Sequence, residues 1–369
     1  MSIDREHFIE DISRQFQIYG EILHAEPCKI GHINETFAAT YAQGGTRVRY
    51  IHQKINQSVF KDPESLMDNV TRVTGHIRGK LSRRGERDVT RKALTLVPAR
   101  DGRAFHRNGD GDYWRTFFFV EGAQTYEAVQ TTAQAYEAGY AFGNFQSLLV
   151  DLPGGRLVET IPGFHNTRKR FEQLQQAVTE DHCNRVQSAA AEIEFALQHE
   201  GIVDVLLQAL ASGQIPERIT HNDTKFNNVM LDNESGSQIC VLDLDTVMPG
   251  LVLYDFGDMV RTTTSSTLED ERDLSRIEMQ MPMFESLARG YVEAAGNFLT
   301  PAEKALLGFS GKLITFTIGL RFLTDYLAGD KYFRVHRPGH NLDRCRTQFK
   351  LVESIEQQEE AMQKLIDRI

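Results

Sequence analysis

Apolar positions first recur at helical spacing and then at alternate positions, which predicts a short helix followed by a sheet. Phe8, Ile9, Ile12 and Phe16 mark the helix, over residues 6–18. Six later segments have the alternation or the β-branched and aromatic content of strands. They are residues 22–30, 36–41, 47–55, 94–97, 103–105 and 113–120. Gln43-Gly44-Gly45-Thr46 is the clearest hairpin turn between them.

From residue 122 onward the pattern is mainly helical. Helices are predicted over 130–149, within 168–210, after Tyr254, and over 275–297, 301–328 and 341–367. Gly139 and Gly143 lie on the first of these and would permit close helix packing. The change of pattern predicts an α+β fold with two lobes. A small β-rich N-terminal lobe would span residues 1–121 and a larger, mostly helical C-terminal lobe residues 122–369.

Composition and charge exclude several classes of function. The 369 residues carry a net charge of -10, whereas nucleic-acid binding needs clustered excess cations, so no nucleic-acid partner is expected. The N-terminus has no apolar signal segment, and the apolar run over 313–320 is too short to span a bilayer. The four cysteines fit no zinc or redox spacing. We therefore expect a cytoplasmic monomer with reduced thiols and no membrane partner.

One motif carries recognisable chemistry: His-Asn-Asp-Thr-Lys-Phe-Asn-Asn at 221–228, with Asp243-Leu244-Asp245 after it. Its spacing is that of the catalytic loop and metal-binding aspartate of protein-kinase-like phosphotransferases. Asp223 would accept the proton of an attacking hydroxyl, and Lys225 would place a cation beside the transferring phosphoryl group of ATP. The alternative is an acidic, Asn-rich loop whose side chains cap turns.

The two halves of the motif are predicted to meet across a hairpin. Residues 228–232 and 238–243 have strand character and flank the turn sequence Asn-Glu-Ser-Gly-Ser. A turn centred on Ser235-Gly236 would pair positions whose numbers sum to 471, so that Asn228 and Asp243 face each other. Their oxygens would hold Mg²⁺, which prefers such ligands. Asp245 would be either a second metal ligand or a hydrogen-bonding support.

Other residues are candidates for contacts with ATP. Gly31 would let the backbone approach the phosphates, although it also suits an ordinary turn. Lys54 would bind the phosphates, with a solvated edge lysine as the alternative. Either Glu64 or Asp68, on a helix that begins at Asp62-Pro63, could pair with Lys54. The adenine would lie against the backbone at the end of the last strand, at residues Phe119, Val120 and Glu121.

With these motifs, the chain resembles the aminoglycoside phosphotransferase and choline kinase superfamily over essentially its whole length. Within it, the sequence is most similar to the N-acetylhexosamine 1-kinases. The superfamily resemblance rests on residues 30–36, 50–56, 221–228, 241–245 and Tyr254-Asp255, and the closer match on residues 159–167, 221–228 and the C-terminal block 321–333. The catalytic motifs are common to the superfamily, whereas the C-terminal block is what narrows the range of substrates that the resemblance implies.

The resemblance implies a two-lobe, protein-kinase-like fold and transfer of phosphate from ATP, with Mg²⁺, to a sugar. The acceptor would be the anomeric hydroxyl of GlcNAc or GalNAc, and Asp223 the base. Arg321, Tyr332 and, in the first loop, His32 would contact the sugar. His165, Asn166 and Arg170 are weaker candidates.

Two rival hypotheses remain at this stage. The protein could be a kinase for another small hydroxyl compound, such as another sugar, an aminoglycoside, choline or an amino alcohol. Arg321 in the acceptor site would argue against choline, which is a cation. A non-catalytic nucleotide- or sugar-binding protein is the alternative from another class. The joint presence of Asp223, Lys225, Asn228 and Asp243 argues against it.

Overall fold

The computed structural model describes residues 2–28 and 33–369. The chain forms two compact units. The first contains the described residues up to Gln124, together with Asp151–Ile161 and Met230–Met248. The second contains Thr125–Val150, Pro162–Val229 and Pro249–Ile369. Two segments that follow residue 121 in the sequence therefore belong to the first unit.

The first unit is built on a five-stranded antiparallel sheet in the order β1-β2-β3-β5-β4. Its strands are β1 (Glu21–Pro27), β2 (Glu35–Gln43), β3 (Thr46–Lys54), β4 (His106–Arg107) and β5 (Tyr113–Phe118). Gly44 and Gly45, with φ of 58° and 82°, form the two-residue turn between β2 and β3. Positive φ at both positions is the requirement of a type I′ hairpin turn, so the Gly-Gly prediction is confirmed.

Two of the six predicted strands differ in the structure. Residues 94–97 run beside β5, where the Val97 amide donates to the Thr116 carbonyl at 2.8 Å, but Leu96 forms only an isolated bridge to Phe117. The strand predicted over 103–105 occurs a few residues later as β4. Both segments have strand-like composition, but neither forms a continuous ladder at the predicted positions.

One face of the sheet packs against helix α1 (Ser2–Ser13) and forms the core of this unit. Ile9, Ile12, Phe16 and the fully buried Trp114 are at its centre. Two further helices are α2 (Pro63–Arg83) and α3 (Val89–Lys92). The Asp62 side chain accepts the Ser65 amide at 3.1 Å, and Pro63 is the first residue of α2. The predicted helix start is therefore confirmed.

A second sheet of this unit has the order β6-β8-β9, with β6 (Ala123–Gln124), β8 (Val229–Asp232) and β9 (Gln238–Val241). The hairpin between β8 and β9 differs from the predicted register. The Asp232 amide donates to Ser237, positions that sum to 469, and the Gly236 amide donates to the Asp232 carbonyl. Gly236, with φ of 72°, is thus the extra residue of a β-bulge.

The predicted pairing of Asn228 with Asp243 is therefore wrong as a register. Asn228 ends a short 3-10 helix, Phe226–Asn228, and Asp243 lies beyond the end of β9 with a left-handed backbone, φ 53°. The bulge places two residues of one strand opposite Asp232. The turn itself lies at residues 233–235, where the Asp232 carboxylate accepts the Glu234 and Ser235 amides, and not at Ser235-Gly236 as predicted.

The second unit is mostly helical, with one two-stranded sheet of β7 (Arg218–Thr220) and β10 (Met248–Gly250). Its helices are α4 (Thr132–Leu149), α5 (Thr167–Glu180), α6 (Ala190–Gln198), α7 (Val205–Ala211), α8 (Val252–Thr263), α9 (Met281–Ala295), α10 (Pro301–Ala305), α11 (Leu307–Leu327) and α12 (His340–Ile366). Among the described residues, no helix is long and apolar enough to cross a membrane.

Two close contacts organise these helices. A Cβ at Gly139 of α4 would lie 2.2 Å from the Leu287 carbonyl oxygen of α9, and one at Gly143 would lie 2.9 Å from that of Tyr291. The predicted role of both glycines in helix packing is confirmed. The nearly all-buried α11 packs against α5, α8 and α12. A β-rich N-terminal region followed by a helical C-terminal region is the predicted fold class.

Candidate active site

The loop of residues 221–228 connects β7 to β8 and brings its three polar candidates together. The Lys225 ammonium lies 2.9 Å from Asp223 Oδ1. The Asn228 side-chain nitrogen donates to the Asp223 carbonyl at 2.9 Å and to Asp223 Oδ2 at 3.3 Å. Each oxygen of the Asp223 carboxylate therefore has a partner within the loop. The spacing of the motif predicted these three residues as a group.

Asp223 is ionised at neutral pH. Burial alone would raise the pKa of its carboxyl group, but the charges of Lys225, His221 and Arg261 outweigh that effect and lower it. In turn, the negative charge of Asp223 is the main cause that raises the pKa of Lys225. An anionic carboxylate that can accept a proton, next to a fixed cation, is the chemistry required at the attacking hydroxyl in phosphoryl transfer.

Helix α8 holds this loop through Asp255, which is fully buried. Its carboxylate accepts the amides of His221 at 2.8 Å and Asn222 at 2.7 Å, and the Gln146 side chain at 2.7 Å. Burial raises the pKa of Asp255 to about 7, while these donors act in the opposite direction. Asn222 has a left-handed backbone, φ 65°, immediately before Asp223. The hydrogen bonds from these two amides to Asp255 thus fix the strained turn that presents Asp223.

A second acidic residue of α8 supports the other side of the loop. Asp258 accepts the Thr224 amide at 3.2 Å and pairs with the buried Arg261 guanidinium at 2.8 Å. Arg261 also pairs with Glu269 at 2.8 Å. The charge of Arg261 also contributes to the lowered pKa of Asp223.

His165, a weaker candidate from the sequence, supports the loop of residues 221–228 from the segment before α5. Its Nε2 lies 2.9 Å from the Asn222 carbonyl and must donate to it, because a carbonyl only accepts. Burial lowers the pKa of His165 to about 4, so the ring is neutral at physiological pH. We interpret it as a fixed hydrogen-bond donor that holds the residue before Asp223.

The two predicted sugar contacts of the C-terminal block lie together in the second unit. The Arg321 guanidinium lies 5.1 Å from the ring centre of Phe164, 5.6 Å from that of Tyr332 and 5.3 Å from that of Phe333. One of its nitrogens is 3.4 Å from the Tyr332 hydroxyl. We name Arg321, Phe164, Tyr332 and Phe333 the Arg321 cluster.

The charge of the Arg321 cluster is positive. In the part of the chain that the structure describes, Arg321 forms no ion pair with an acidic side chain. Arg170, another weaker candidate, donates to the Phe164 carbonyl at 3.0 Å. Burial, with a contribution from the Arg321 charge, lowers the pKa of Arg170 to about 10. Asn166, the third weaker candidate, accepts the Lys169 amide at 2.9 Å as the N-cap of α5.

In the first unit, the partner of Lys54 differs from both predicted alternatives. Its ammonium pairs with Asp112 at 2.6 Å, whereas Glu64 accepts the Tyr113 hydroxyl and Asp68 lies near Arg72. The sheet explains this result, because Lys54 is opposite Trp114 in the β3–β5 register and Asp112 directly precedes β5. The candidates Gly31 and His32 lie outside the described residues.

Asp245 makes the contacts of a hydrogen-bonding support, one of its two predicted alternatives. It is buried, and its Oδ1 pairs with the buried Arg115 at 2.5 Å. Its Oδ2 accepts the Asn34 side chain at 2.6 Å, and Asn34 in turn accepts the Asn56 amide at 3.0 Å. Asp245 therefore fixes Asn34, the residue directly before β2, to the end of β3.

The three residues predicted to contact adenine follow β5. Val120 is buried, while Arg49 lies over the Phe119 ring at 3.7 Å and also binds the Glu121 carboxylate. Arg91 donates to the Glu121 carbonyl at 2.6 Å and the Gly122 carbonyl at 2.7 Å. These contacts order the backbone at 119–122, and its contact with adenine stays a prediction.

The residues predicted to hold Mg²⁺ have suitable donor atoms. The Asn228 nitrogen is occupied by Asp223, which leaves its amide oxygen as the atom for a cation. Asp243 offers a carboxylate from a left-handed backbone conformation that non-glycine residues seldom adopt. One or two such side chains suffice for Mg²⁺ when phosphates and water complete its shell. Each of the two side chains thus carries an oxygen of the kind that magnesium prefers.

Sequence reasoning gave no role to Asp255, Asp258 or Asp325, a buried residue of α11. The sequence does mark Asp255 and Asp258 as unusual, because both lie in the apolar first part of α8, where a buried acidic residue needs a partner. The identity of the partner depends on backbone amides more than 30 residues away. The pattern therefore marks these residues without revealing what they bind.

Comparisons with known proteins bear on the family and on the fold. The sequence profile of the phosphotransferase enzyme family matches residues 24–304. The fold is similar to that of a microcompartment-associated aminopropanol kinase, with a TM-score of 0.59 and 15% identity over 97% of this chain and 98% of that chain. For an aminoglycoside phosphotransferase from Alicyclobacillus acidocaldarius, the TM-score is 0.60 with 11% identity over 98% of this chain and 96% of that chain. For a choline kinase from Cryptosporidium parvum, the TM-score is 0.53 with 14% identity over 98% of this chain and 97% of that chain.

Proposed function

Because the chain belongs to the phosphotransferase enzyme family, we propose that it transfers the γ-phosphoryl group of ATP to the anomeric hydroxyl of an N-acetylhexosamine. The product would be the sugar 1-phosphate. The observation that carries the reaction type is the Asp223–Lys225 pair, an ionised carboxylate 2.9 Å from an ammonium group in a loop held by α8. Asp223 accepts the proton of the sugar hydroxyl, and Lys225 stabilises negative charge beside it.

The Arg321 cluster supports a neutral sugar as the acceptor. A guanidinium without an acidic partner donates hydrogen bonds to hydroxyl and carbonyl oxygens, whereas it repels an ammonium group. The rings of Phe164, Tyr332 and Phe333 offer apolar faces to the carbon face of a sugar. Choline, amino alcohols and polyamine antibiotics would bring a cation next to Arg321. An N-acetylated sugar has the hydroxyl and carbonyl oxygens without that charge.

The proposal includes ATP and Mg²⁺ as the second substrate and the metal. Lys54 would bind phosphate oxygens, the backbone at 119–121 the adenine, and Asn228 and Asp243 the metal. The metal, when bound, neutralises charge on the phosphates. The role of this chain is to hold its oxygen ligands and the sugar hydroxyl in place.

A substrate panel tests the proposal. ADP release is measured with ATP and Mg²⁺ for GlcNAc, GalNAc, their 1-O-methyl glycosides, glucose, galactose, an aminoglycoside and choline. We expect turnover of the free N-acetylhexosamines and none of the 1-O-methyl forms, because methylation removes the hydroxyl that attacks. Phosphorus NMR of the product would identify a phosphate on the anomeric carbon.

The other outcomes of the panel are equally informative. Turnover of the methyl glycosides would move the attack to another hydroxyl, and turnover of choline would contradict our interpretation of the Arg321 cluster. If no compound is phosphorylated while ATP still raises the melting temperature, the result would favour the hypothesis of a non-catalytic nucleotide-binding protein over that of a kinase.

The metal assignment gives a separate prediction. Asp243→Ala should raise the Mg²⁺ concentration for half-maximal activity by about 10- to 100-fold or more, since even residues behind the metal ligands change affinity by that factor. The measurement is a titration of ADP release with Mg²⁺ at fixed ATP. Asp101→Ala is the matched control, because it removes an exposed carboxylate of the same unit that pairs with Arg103. Equal Mg²⁺ dependence in both variants would contradict the assignment.

A further inference from the structure

The segment after α11 places two of the aromatic rings of the Arg321 cluster. Helix α11 ends at Leu327, and Tyr332 and Phe333 follow it closely. Gly329 and Asp330 have positive φ, 94° and 59°, so the chain turns back sharply towards the helix. Although 63% of the Tyr332 residue is exposed, its ring and hydroxyl stay near Arg321 of the same helix. A specific interaction must therefore hold this exposed segment.

That interaction is made by the carboxylate of Asp325, which is 6% exposed. Its Oδ1 accepts the amides of Lys331 at 2.9 Å and Tyr332 at 2.8 Å, and its Oδ2 accepts the amide of Phe333 at 2.9 Å. The Asp325 carbonyl also accepts the Asp330 amide at 2.8 Å. Three consecutive backbone amides thus converge on one carboxylate, and two of them belong to residues of the Arg321 cluster.

A second set of contacts fixes the carboxylate itself. The fully buried Asn341 donates from its side-chain nitrogen to Asp325 at 2.9 Å and to Asp330 at 2.8 Å. Asp330 pairs with Arg185 at 2.6 Å, and Arg185 donates to the Tyr326 carbonyl at 2.7 Å. The turn is therefore tied to α11, to α12 and to the segment that carries Arg185.

We propose that Asp325 is a positioning residue that sets the affinity for the acceptor by holding Tyr332 and Phe333 beside Arg321. The inference rests on the proposed function, because it takes the Arg321 cluster as the contact surface for the acceptor. Asp325 itself does not touch the acceptor. Its two oxygens match four N–H donors, and an asparagine could offer only one oxygen to them.

Steady-state kinetics of Asp325→Asn tests this role. KM for the acceptor should rise by about 10- to 100-fold, since small displacements of positioning groups have effects of that size. KM for ATP and kcat at saturating acceptor should change far less, because the Asp223 loop is held by α8. A purely structural role would instead lower the amount of active enzyme and leave KM unchanged. Asp273→Asn, an exposed aspartate that accepts the Ser275 amide at 3.1 Å, is the matched control.

A double-mutant cycle separates action through Tyr332 from a general effect. If Asp325 acts by placing that ring, Asp325→Asn combined with Tyr332→Ala should raise KM little more than Tyr332→Ala alone. Independent, additive effects would overturn the proposal. Arg185→Gln, which removes the outer contact to Asp330, should shift KM in the same direction by a smaller factor. This variant also keeps the proposal testable if Asp325→Asn does not fold.

Limited trypsin digestion tests the ordering of the turn without any acceptor. Lys331 and Arg334 are exposed cleavage positions at the turn, and mass spectrometry can follow cutting at each. Cleavage there should be faster in Asp325→Asn than in the wild type or in Asp273→Asn. Faster cleavage without a change in KM would overturn the proposal but not the proposed function. If the wild-type protein phosphorylates no compound of the acceptor panel, the proposed function is overturned, whatever the digestion shows.

Discussion

Asp223→Asn should lower kcat by about 10²- to 10⁴-fold, the contribution of a general base in the transition state. The asparagine keeps the size of the side chain but has no carboxylate to accept the proton, and it also removes the charge that pairs with Lys225 at 2.9 Å. ATP affinity should change little, because the loss concerns the attacking hydroxyl. The measurement combines ADP release at saturating substrates with the ATP-dependent shift of the melting temperature.

The control for this prediction is Asp204→Asn. Asp204 pairs with Arg168 at 2.6 Å on a different segment of the second unit, so the same chemical change is made outside the catalytic loop. Asp223→Ala, which removes the acceptor atoms altogether, should reproduce the loss. If Asp223→Asn keeps a kcat close to that of Asp204→Asn, another group must take the proton and the assignment is wrong.

Asp255→Asn should affect both stability and turnover. The amide nitrogen of the asparagine would face an N–H donor in place of an accepting oxygen, and each buried group that loses its partner costs about 1–3 kcal/mol of unfolding free energy. The released turn at Asn222 would displace Asp223, and misplacement of about 1 Å can lower the rate by a factor of about 10². Urea unfolding gives the change in unfolding free energy, and ADP release on the same preparation gives the change in rate.

Gln146→Leu separates the two effects. Gln146 donates to Asp255 at 2.7 Å and accepts the Tyr291 hydroxyl at 2.7 Å, but it makes no bond to the amides of residues 221 and 222. Its loss should lower the unfolding free energy while kcat falls less than in Asp255→Asn. Equal losses of kcat in the two variants would mean that Asp255 acts through general stability and not through the position of the loop.

Local patterns in the sequence predicted much of the fold. The alternation along β2 and β3 and the Gly44-Gly45 turn specify a hairpin by short-range chemistry alone, and so do Asp62 and Pro63 at the start of α2. The β8–β9 hairpin is the counterexample. There the turn lies at residues 233–235, before the predicted Ser235-Gly236, and even with the bulge at Gly236 the pairing sum is 469 instead of 471.

The candidate site shows the same division between local and long-range information. Asp223, Lys225 and Asn228 are within six residues, so their spacing predicts that they contact one another. The partner of Lys54 depends on the β3–β5 register, which the sequence did not specify, and the structure gives Asp112. Asp255 and Asp325 bind backbone amides, which every residue carries, so no residue type in the sequence identifies their partners.

The separate supports of the loop and of the Arg321 cluster bear on how such enzymes change specificity during evolution. Asp255 and Asp258 on α8 hold the loop that carries Asp223, the proposed base, whereas Asp325 on α11 holds the rings near Arg321. Substitutions after α11 can therefore accumulate without cost to the catalytic loop. A laboratory search for variants with new acceptors should randomise Tyr332 and Phe333 while it keeps Asp325, so that each new surface is presented on an intact scaffold.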